Sequence, residues 1–214
     1  MVHNLGEKNS IANQYMSEIR DRTMQLDRSR FRLNMQRLGR IMATEISREM
    51  SYVGREVETP LGIKKIDILE EQPVLITVLR AGLPYYQGFL DVFDQAEGGF
   101  VGAAREEGAT EISINLGYAA TPSPANRTLI LIDPMLATGR SFARSFNALM
   151  LQGMPRFIYI AALVAAPEGI QYLQEHISVP YSIWTFAIDE KLDHRFYIVP
   201  GLGDAGDLSF GEKD

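Results

Sequence analysis

The chain has no cysteine among its 214 residues, which rules out disulfides and thiolate metal sites. Its three histidines, His3, His176 and His194, are too scattered to suggest a metal centre. No apolar run approaches the roughly 18–20 residues of a membrane span. The opening MVHNLGEKNS lacks the apolar core of a secretory signal. Basic residues are outnumbered, 21 against 27, and the net charge of −6 argues against binding to duplex nucleic acid. That charge still allows a local basic pocket for a small anion. Internal repeats, low-complexity tracts and linkers are missing too. What is there, at 46% hydrophobic and 22% charged, is ordinary for a globular protein, and the length supports one large core. The expectation is a single domain over 1–214, cytoplasmic, engaging neither membrane nor nucleic acid.

Phe31, Met35, Leu38, Met42 and Ile46 step by three and four, so the first fifty or so residues read as helical with one buried stripe. Asp27 is placed to cap that helix. The arginines at 30, 32, 37, 40 and 48 lie mostly off the stripe and read as a solvated face. A turn at Thr59-Pro60-Leu61-Gly62 joins Arg55–Glu58 to Ile63–Ile68 as a hairpin. Three continuous apolar runs, at 73–79, 128–133 and 157–165, read as strands buried on both faces, which is the signature of a parallel sheet. Shorter strands are expected at 99–103, 111–118 and 181–188. Helices are expected from about Tyr85, over Ser141–Leu151 and from Pro167. Strands alternating with helices predict an α/β fold with a central, mainly parallel sheet flanked by helices. Ligands in such folds bind beyond the carboxyl ends of strands, here after Leu79, Asp133 and Ala165.

The stretch LILIDPMLATGRS, residues 129–141, carries the clearest chemistry. A buried strand runs into Asp133, a small-residue loop and a helix start. The helix N-terminus offers unpaired N–H groups and partial positive charge to a phosphate. Thr138 and Ser141 add hydroxyls, and Gly139 permits close approach and positive φ. Asp133 would repel a phosphate but would accept from sugar hydroxyls beside one. The reading is a phosphorylated-sugar site. It is not a Walker A loop, because the Gly-Lys-Ser/Thr ending is absent.

The same stretch resembles the phosphoribosyl-pyrophosphate (PRPP) loop of type I phosphoribosyltransferases, and in its Asp-Pro-Met-Leu-Ala-Thr-Gly form the uracil phosphoribosyltransferase family. LRAGL (79–83), LVAAPEG (163–169) and YIVPGLGDAGDLSFG (197–211) resemble three further segments of that family in the same order. RLGRIMATE and VETPLG fit as well, so the resemblance covers about Asp21 to Gly211. It implies a type I phosphoribosyltransferase fold with a small hood formed by the hairpin and C-terminal segment. It also implies conversion of uracil and PRPP to UMP and diphosphate in pyrimidine salvage. Asp133, Pro134, Met135, Leu136, Ala137, Thr138, Gly139, Arg140 and Ser141 would hold the ribose 5-phosphate part of PRPP. Arg80, with the Ala81-Gly82 backbone, and Arg105 would hold the pyrophosphate, and a cis peptide is expected in the Arg80 loop. Ile198, Gly203, Asp204 and Ala205 would line the uracil site, with Asp204 also reaching PRPP or its metal. Arg80, Arg105 and Asp204 are the implied catalytic residues. Mg²⁺ would bind mainly through PRPP, with no cage built from protein alone. A homo-oligomer, dimer or tetramer, and a GTP effector are the implied partners beyond the substrates.

Three departures stand out against the family pattern. Arg140 occupies a position where the family has a glycine or small residue, although pyrimidine-operon regulators of the same superfamily carry a Thr-Gly-Arg loop. Residues 106–127, expected to cover the site, lack the family's Lys-Leu-Pro pattern, and Ala104 stands where an aromatic precedes the second arginine. Two alternatives remain at this point: a nucleotide-sensing or RNA-binding regulator on the same fold, and a transferase for a purine. The acidic charge weighs against the first and the YIVPGLGDAGD tail against both.

Overall fold

The computed structural model describes residues 1–105 and 114–212, of which 103–105 and 114–117 are described by their backbone alone. In chain order the elements are β1 (Val2–Asn4), α1 (Ile11–Arg20), α2 (Arg28–Ser47), β2 (Tyr52–Thr59), β3 (Gly62–Leu69), β4 (Val74–Leu79) and α3 (Leu83–Leu90). They continue with β5 (Glu97–Arg105), β6 (Ile114–Ala120), β7 (Thr128–Ile132), β8 (Met135–Leu136), α4 (Arg140–Met150), β9 (Phe157–Ala161) and β10 (Val164–Ala165). The chain ends with α5 (Pro167–His176), β11 (Tyr181–Thr185), β12 (Ala187–Ile188), β13 (Lys191–Leu192), β14 (Ile198–Val199) and α6 (Ala205–Phe210).

The main sheet has seven strands in the order β1-β11-β9-β7-β4-β5-β6. Every neighbouring pair is parallel except β5 and β6. The three apolar runs are its centre, and they are apolar throughout because both faces are covered. Along β7, Ile130 and Ile132 enter one core while Leu129 and Leu131 enter the other. The first core packs α1, α2 and α3 on one face; the second packs α4 and α5 on the opposite face. The arrangement is a three-layer α/β domain.

From β4 the chain passes to β5 on one side, then returns to place β7 on the other side of β4. Consecutive loops therefore diverge at the carboxyl ends of β4 and β7. That switch point is where open α/β sheets bind ligands.

The expected run 157–165 is broken. β9 stops at Ala161, and Val164–Ala165 pair instead with β8 and β12 in a separate three-stranded sheet of order β12-β10-β8. The cause is the carbonyl of Pro134, which accepts from both Leu163 and Val164 (2.9 and 3.2 Å) and draws the chain out of the main sheet. The run at 181–188 divides in the same way, into β11 and β12. The hairpin is longer than its turn signal suggested, with eight paired positions from Tyr52↔Leu69 to Thr59↔Gly62.

The stripe from Phe31 to Ile46 is buried as the spacing required, and Asp27 caps α2 by accepting from the Arg30 amide at 3.0 Å. The arginine face is solvated as its position off the stripe predicts, with Arg30, Arg40 and Arg48 exposed, but several of its members are also paired. Arg32 Nη1 donates to the Ser209 carbonyl (2.7 Å), and Arg40 pairs with Asp91 (2.7 Å). Arg30 forks onto the buried Glu18 of α1 with two bonds of 2.8 Å, and Asn34 donates to the same carboxylate (2.6 Å). Hydrogen bonds from Arg30 and then Asn34 hold the Glu18 carboxyl down to about 2 from its ordinary 4.5. Stability from a carboxyl so lowered is complete above the ordinary value and is lost as pH falls through the lowered one. Denaturant unfolding should therefore show stability falling between pH 4.5 and about 2. Glu18→Gln should be less stable at pH 7 by about 1–3 kcal/mol, with a shallower acid slope; equal acid slopes would remove Glu18 from the cause.

Candidate active site

β4 and β7 end side by side, and the loops that follow them are drawn together by one contact. The fully buried Thr77 hydroxyl of β4 donates to the carbonyl of Ile132, the last residue of β7, at 2.9 Å. A Cβ added at Gly82 would lie 2.1 Å from that same hydroxyl oxygen and 2.8 Å from the Val78 carbonyl oxygen. Only glycine lets the 80–82 loop fold back this closely. The Leu79–Arg80 peptide is cis, as the family resemblance implied.

After β7, Asp133 turns the chain: its Oδ1 accepts from the Met135 amide at 3.2 Å. Gly139 sits at the start of α4 with φ +75°, a left-handed conformation that disfavours a side chain. Thr138 Oγ1 accepts from the Arg140 amide at 3.4 Å. The N-terminus of α4 thereby opens toward the carboxyl end of β4, with small residues in front of it.

The third wall comes from the tail. β13 and β14 form a short antiparallel hairpin, and the following loop carries Gly203 at φ +90° into α6. Asp204 caps α6, its Oδ1 accepting from the amides of Gly206 and Asp207 at 2.8 and 3.0 Å. Arg80 joins this wall to the first. Its Nη2 donates to Asp207 Oδ1 (3.1 Å) and to the Gly211 carbonyl (3.2 Å), while its buried Nε has no hydrogen-bond partner among the described residues.

Together these walls enclose a cavity of about 170 Å³. Arg80, Asp133, Met135, Ala137, Thr138, Gly139 and Ser141 line it from the sheet side. Gly203, Asp204 and Ala205 line it from the tail. Of the other expected residues, Pro134, Leu136 and Ile198 are buried behind this lining, and Arg140 lies on the first turn of α4 away from it. The backbone of Arg105 ends β5, but its side chain lies outside the described residues. Of the expected cover, 106–113 also lie outside them, while 114–120 form β6. The loop after Ala165 supports the cavity and does not line it: the Ala166 amide donates to the Leu136 carbonyl at 2.9 Å, bracing the loop before α4 from behind.

Phe142, Phe196 and Tyr197 are lining residues that sequence reasoning missed. Phe196 is half-exposed at the cavity mouth and has φ +62°. A five-residue turn holds it there: the Asp193 carboxylate accepts from the amides of Arg195 and Tyr197, both at 2.8 Å, and the Asp193 carbonyl accepts from the Phe196 amide at 3.0 Å. Those amides, Tyr197 first, keep the Asp193 carboxyl below its ordinary range. A positive φ at a bulky aromatic has no sequence signal.

This cavity lies at the switch point, between a helix N-terminus and an arginine. The layered sheet is shared with a hypoxanthine phosphoribosyltransferase of Staphylococcus aureus (TM-score 0.51, 12% identity, covering 78% of this chain and 83% of that one), a likeness of fold alone. The fold is that of the type I phosphoribosyltransferases. A solved structure of an Aquifex aeolicus protein superposes with a TM-score of 0.86 at 28% identity, covering 99% of this chain and 98% of that one. A family model described as uracil phosphoribosyltransferase matches residues 7–212. A uracil phosphoribosyltransferase of Porphyromonas gingivalis is 44% identical over 213 residues, 99% of each chain. The chain belongs to the uracil phosphoribosyltransferase family.

Two substitutions test the local geometry. Gly82→Ala should destabilise by roughly 1–3 kcal/mol, because the new methyl meets Thr77 and backbone; denaturant midpoints measure it, and a wild-type midpoint would refute the close approach. Phe196→Gly should leave the thermal midpoint no lower than wild type, since relief of the left-handed backbone offsets the lost ring contacts. A clear fall would mean the ring is a core anchor.

Proposed function

We propose that the chain transfers the 5-phosphoribosyl group of PRPP to N1 of uracil, giving UMP and diphosphate. The observation that carries this reading is the single cavity in which a helix N-terminus, Arg80 and the Gly203–Ala205 backbone face one another. Phosphate suits the first, pyrophosphate the second and a planar base the third.

The 5-phosphate takes the amides of Ala137–Ser141 with the hydroxyls of Thr138 and Ser141, where the helix end supplies positive potential. Asp133 accepts from the ribose hydroxyls. The pyrophosphate takes Arg80, whose unpartnered Nε is a donor awaiting an acceptor and whose planar guanidinium can fork onto phosphate oxygens. Arg105 is assigned to the same group by family resemblance. The Gly203–Ala205 loop, with Ile198 behind it, offers main-chain donors to the uracil carbonyls and an acceptor to its ring N–H.

The C1′–oxygen bond to diphosphate breaks with its electron pair leaving on diphosphate, the N1–C1′ bond forms through an oxocarbenium-like ribosyl centre, and the N1 proton is released to water. The loops hold N1 in line with C1′, and Arg80 stabilises the departing charge. Asp133 and Asp204 face one cavity, a donor pair that fits Mg²⁺ bound mainly through PRPP, since that ion takes one or two carboxylates and completes its shell with water and phosphate. When bound, Mg²⁺ neutralises the diphosphate leaving group.

No helix among the described residues is long and apolar enough to cross a membrane. A cysteine-free chain suits a reducing cytoplasm, and we place the enzyme there. A dimer or tetramer is part of the proposal, supported by the hairpin that exposes Tyr52, Val53, Leu61, Ile63 and Ile66. A GTP effector rests on family resemblance alone.

The test is UMP formation from uracil and PRPP with Mg²⁺, beside hypoxanthine and with and without GTP. Uracil-specific product is expected; product from hypoxanthine alone, or none from either base, would overturn the reading. Arg80→Ala and Asp204→Asn should each lower kcat/KM by about 100-fold, and Asp204→Asn should do so with an unchanged unfolding midpoint because asparagine also caps helices. Near-normal turnover in either variant would remove that residue from the site.

A further inference from the structure

Outside the cavity, the ion pair between Arg20, at the end of α1, and Asp189, just past β12, has an unusual position. The two groups form a fork, Nη1 to Oδ2 at 2.9 Å and Nη2 to Oδ1 at 3.0 Å. The Asp189 side chain is 8% exposed and Arg20 23%. Both groups also bond one residue of the tail. Asp189 Oδ2 accepts from the Gly201 amide at 2.8 Å, and Arg20 Nη1 donates to the Gly201 carbonyl at 3.2 Å. The main chain of Gly201, at φ +57°, is therefore held at its donor and its acceptor at once. A Cβ there would lie 2.1 Å from the Ile198 carbonyl oxygen, so the turn admits only glycine.

Asp189 is in turn registered to the phosphate loop. Its amide donates to the Ala165 carbonyl (2.8 Å), and the next amide, Ala166, donates to the Leu136 carbonyl (2.9 Å). The three-stranded sheet β12-β10-β8 thus works as a spacer between Asp189 and the loop that begins α4. Gly203 and Asp204 follow Gly201 by two and three residues. Whatever fixes Gly201 fixes the tail wall against the phosphate wall.

We infer that Arg20 and Asp189 are positioning residues that set the separation between the base loop and the phosphate loop, acting through Gly201 without touching substrate. The inference deepens the proposed function and rests on the reading of Gly203–Ala205 as the base loop. The fork is specific to arginine. A lysine at 20 places one point charge and cannot serve both Asp189 oxygens and the Gly201 carbonyl together. Asparagine at 189 keeps an acceptor for the Gly201 amide but loses the charge and half of the fork.

The experiment compares Arg20→Lys, Arg20→Met and Asp189→Asn with wild type by steady-state kinetics, PRPP binding calorimetry and amide exchange. Uracil KM should rise about tenfold or more in Arg20→Met and Asp189→Asn, and less in Arg20→Lys. The PRPP dissociation constant should rise clearly less than the uracil KM, because the Ala137–Ser141 loop is braced by Ala166 and the tail reaches PRPP only through Asp204 and the Arg80 contact. Amides of Gly201–Gly206 should exchange about tenfold faster in the same two variants, with those of the α4 start unchanged. Unchanged uracil KM and unchanged exchange would overturn the inference. So would equal losses in both substrates with a fallen unfolding midpoint, which would make the pair a general stabiliser. Amide exchange requires no substrate: a wild-type protein that ignores uracil overturns the functional reading, while the exchange data still decide whether the pair fixes the loop.

Discussion

The hydrogen bond from Thr77 to the Ile132 carbonyl, with Gly82 folded against the same hydroxyl, is the constraint on which the rest of the site depends. Parallel pairing alone aligns β4 and β7 but leaves the direction of their loops open. The Thr77 hydroxyl fixes both. It holds the last carbonyl of β7 immediately before Asp133, and it leaves room behind the 80–82 loop only for a residue without a side chain. Two loops that arise more than fifty residues apart in the chain thereby face one cavity.

A second layer of design brings the tail to that cavity. Arg80 reaches from the first loop to Asp207 and Gly211, so that loop and the tail share a side chain. Asp204 is committed through one oxygen to the amides of α6, which orients its carboxylate toward the cavity and limits its freedom. Behind these, the small sheet β12-β10-β8 transmits the position of the phosphate loop to the base of the tail hairpin. The break after Ala161 that creates β10 looks like an interruption of a good strand, yet it is what supplies this spacer.

Much of this was legible in residues 73–79, 128–141 and 197–207, where apolar runs end in glycine, hydroxyl and acidic residues. Such runs report burial on both faces, and that fixes a parallel sheet with its ligand at the carboxyl ends. Asp27 and the stripe from Phe31 to Ile46 were legible for a local reason, since capping and 3.6-residue spacing are encoded within a few residues. The pairing of Arg20 with Asp189 was not, because its two members are 169 positions apart and neither sits in a distinctive motif. Phe196 was hidden for a different reason. Its left-handed backbone is imposed by the Asp193 turn against the preference of the residue itself, so propensity points the wrong way. The break after Ala161 was concealed by composition, as Ala162 and Leu163 are fully buried and apolar whether or not the strand continues.

In the proposed function a single cavity receives phosphate at the start of α4 and a base at the tail, with pyrophosphate between them at Arg80. Amide hydrogen exchange with product ligands tests it most directly. UMP should protect the amides of Ala137–Ser141 and of Gly203–Gly206 together, and diphosphate with Mg²⁺ should protect those of Arg80–Gly82. Protection of the phosphate loop by UMP with no change in the tail would contradict the claim, because the base would then lie outside the wall that the tail provides.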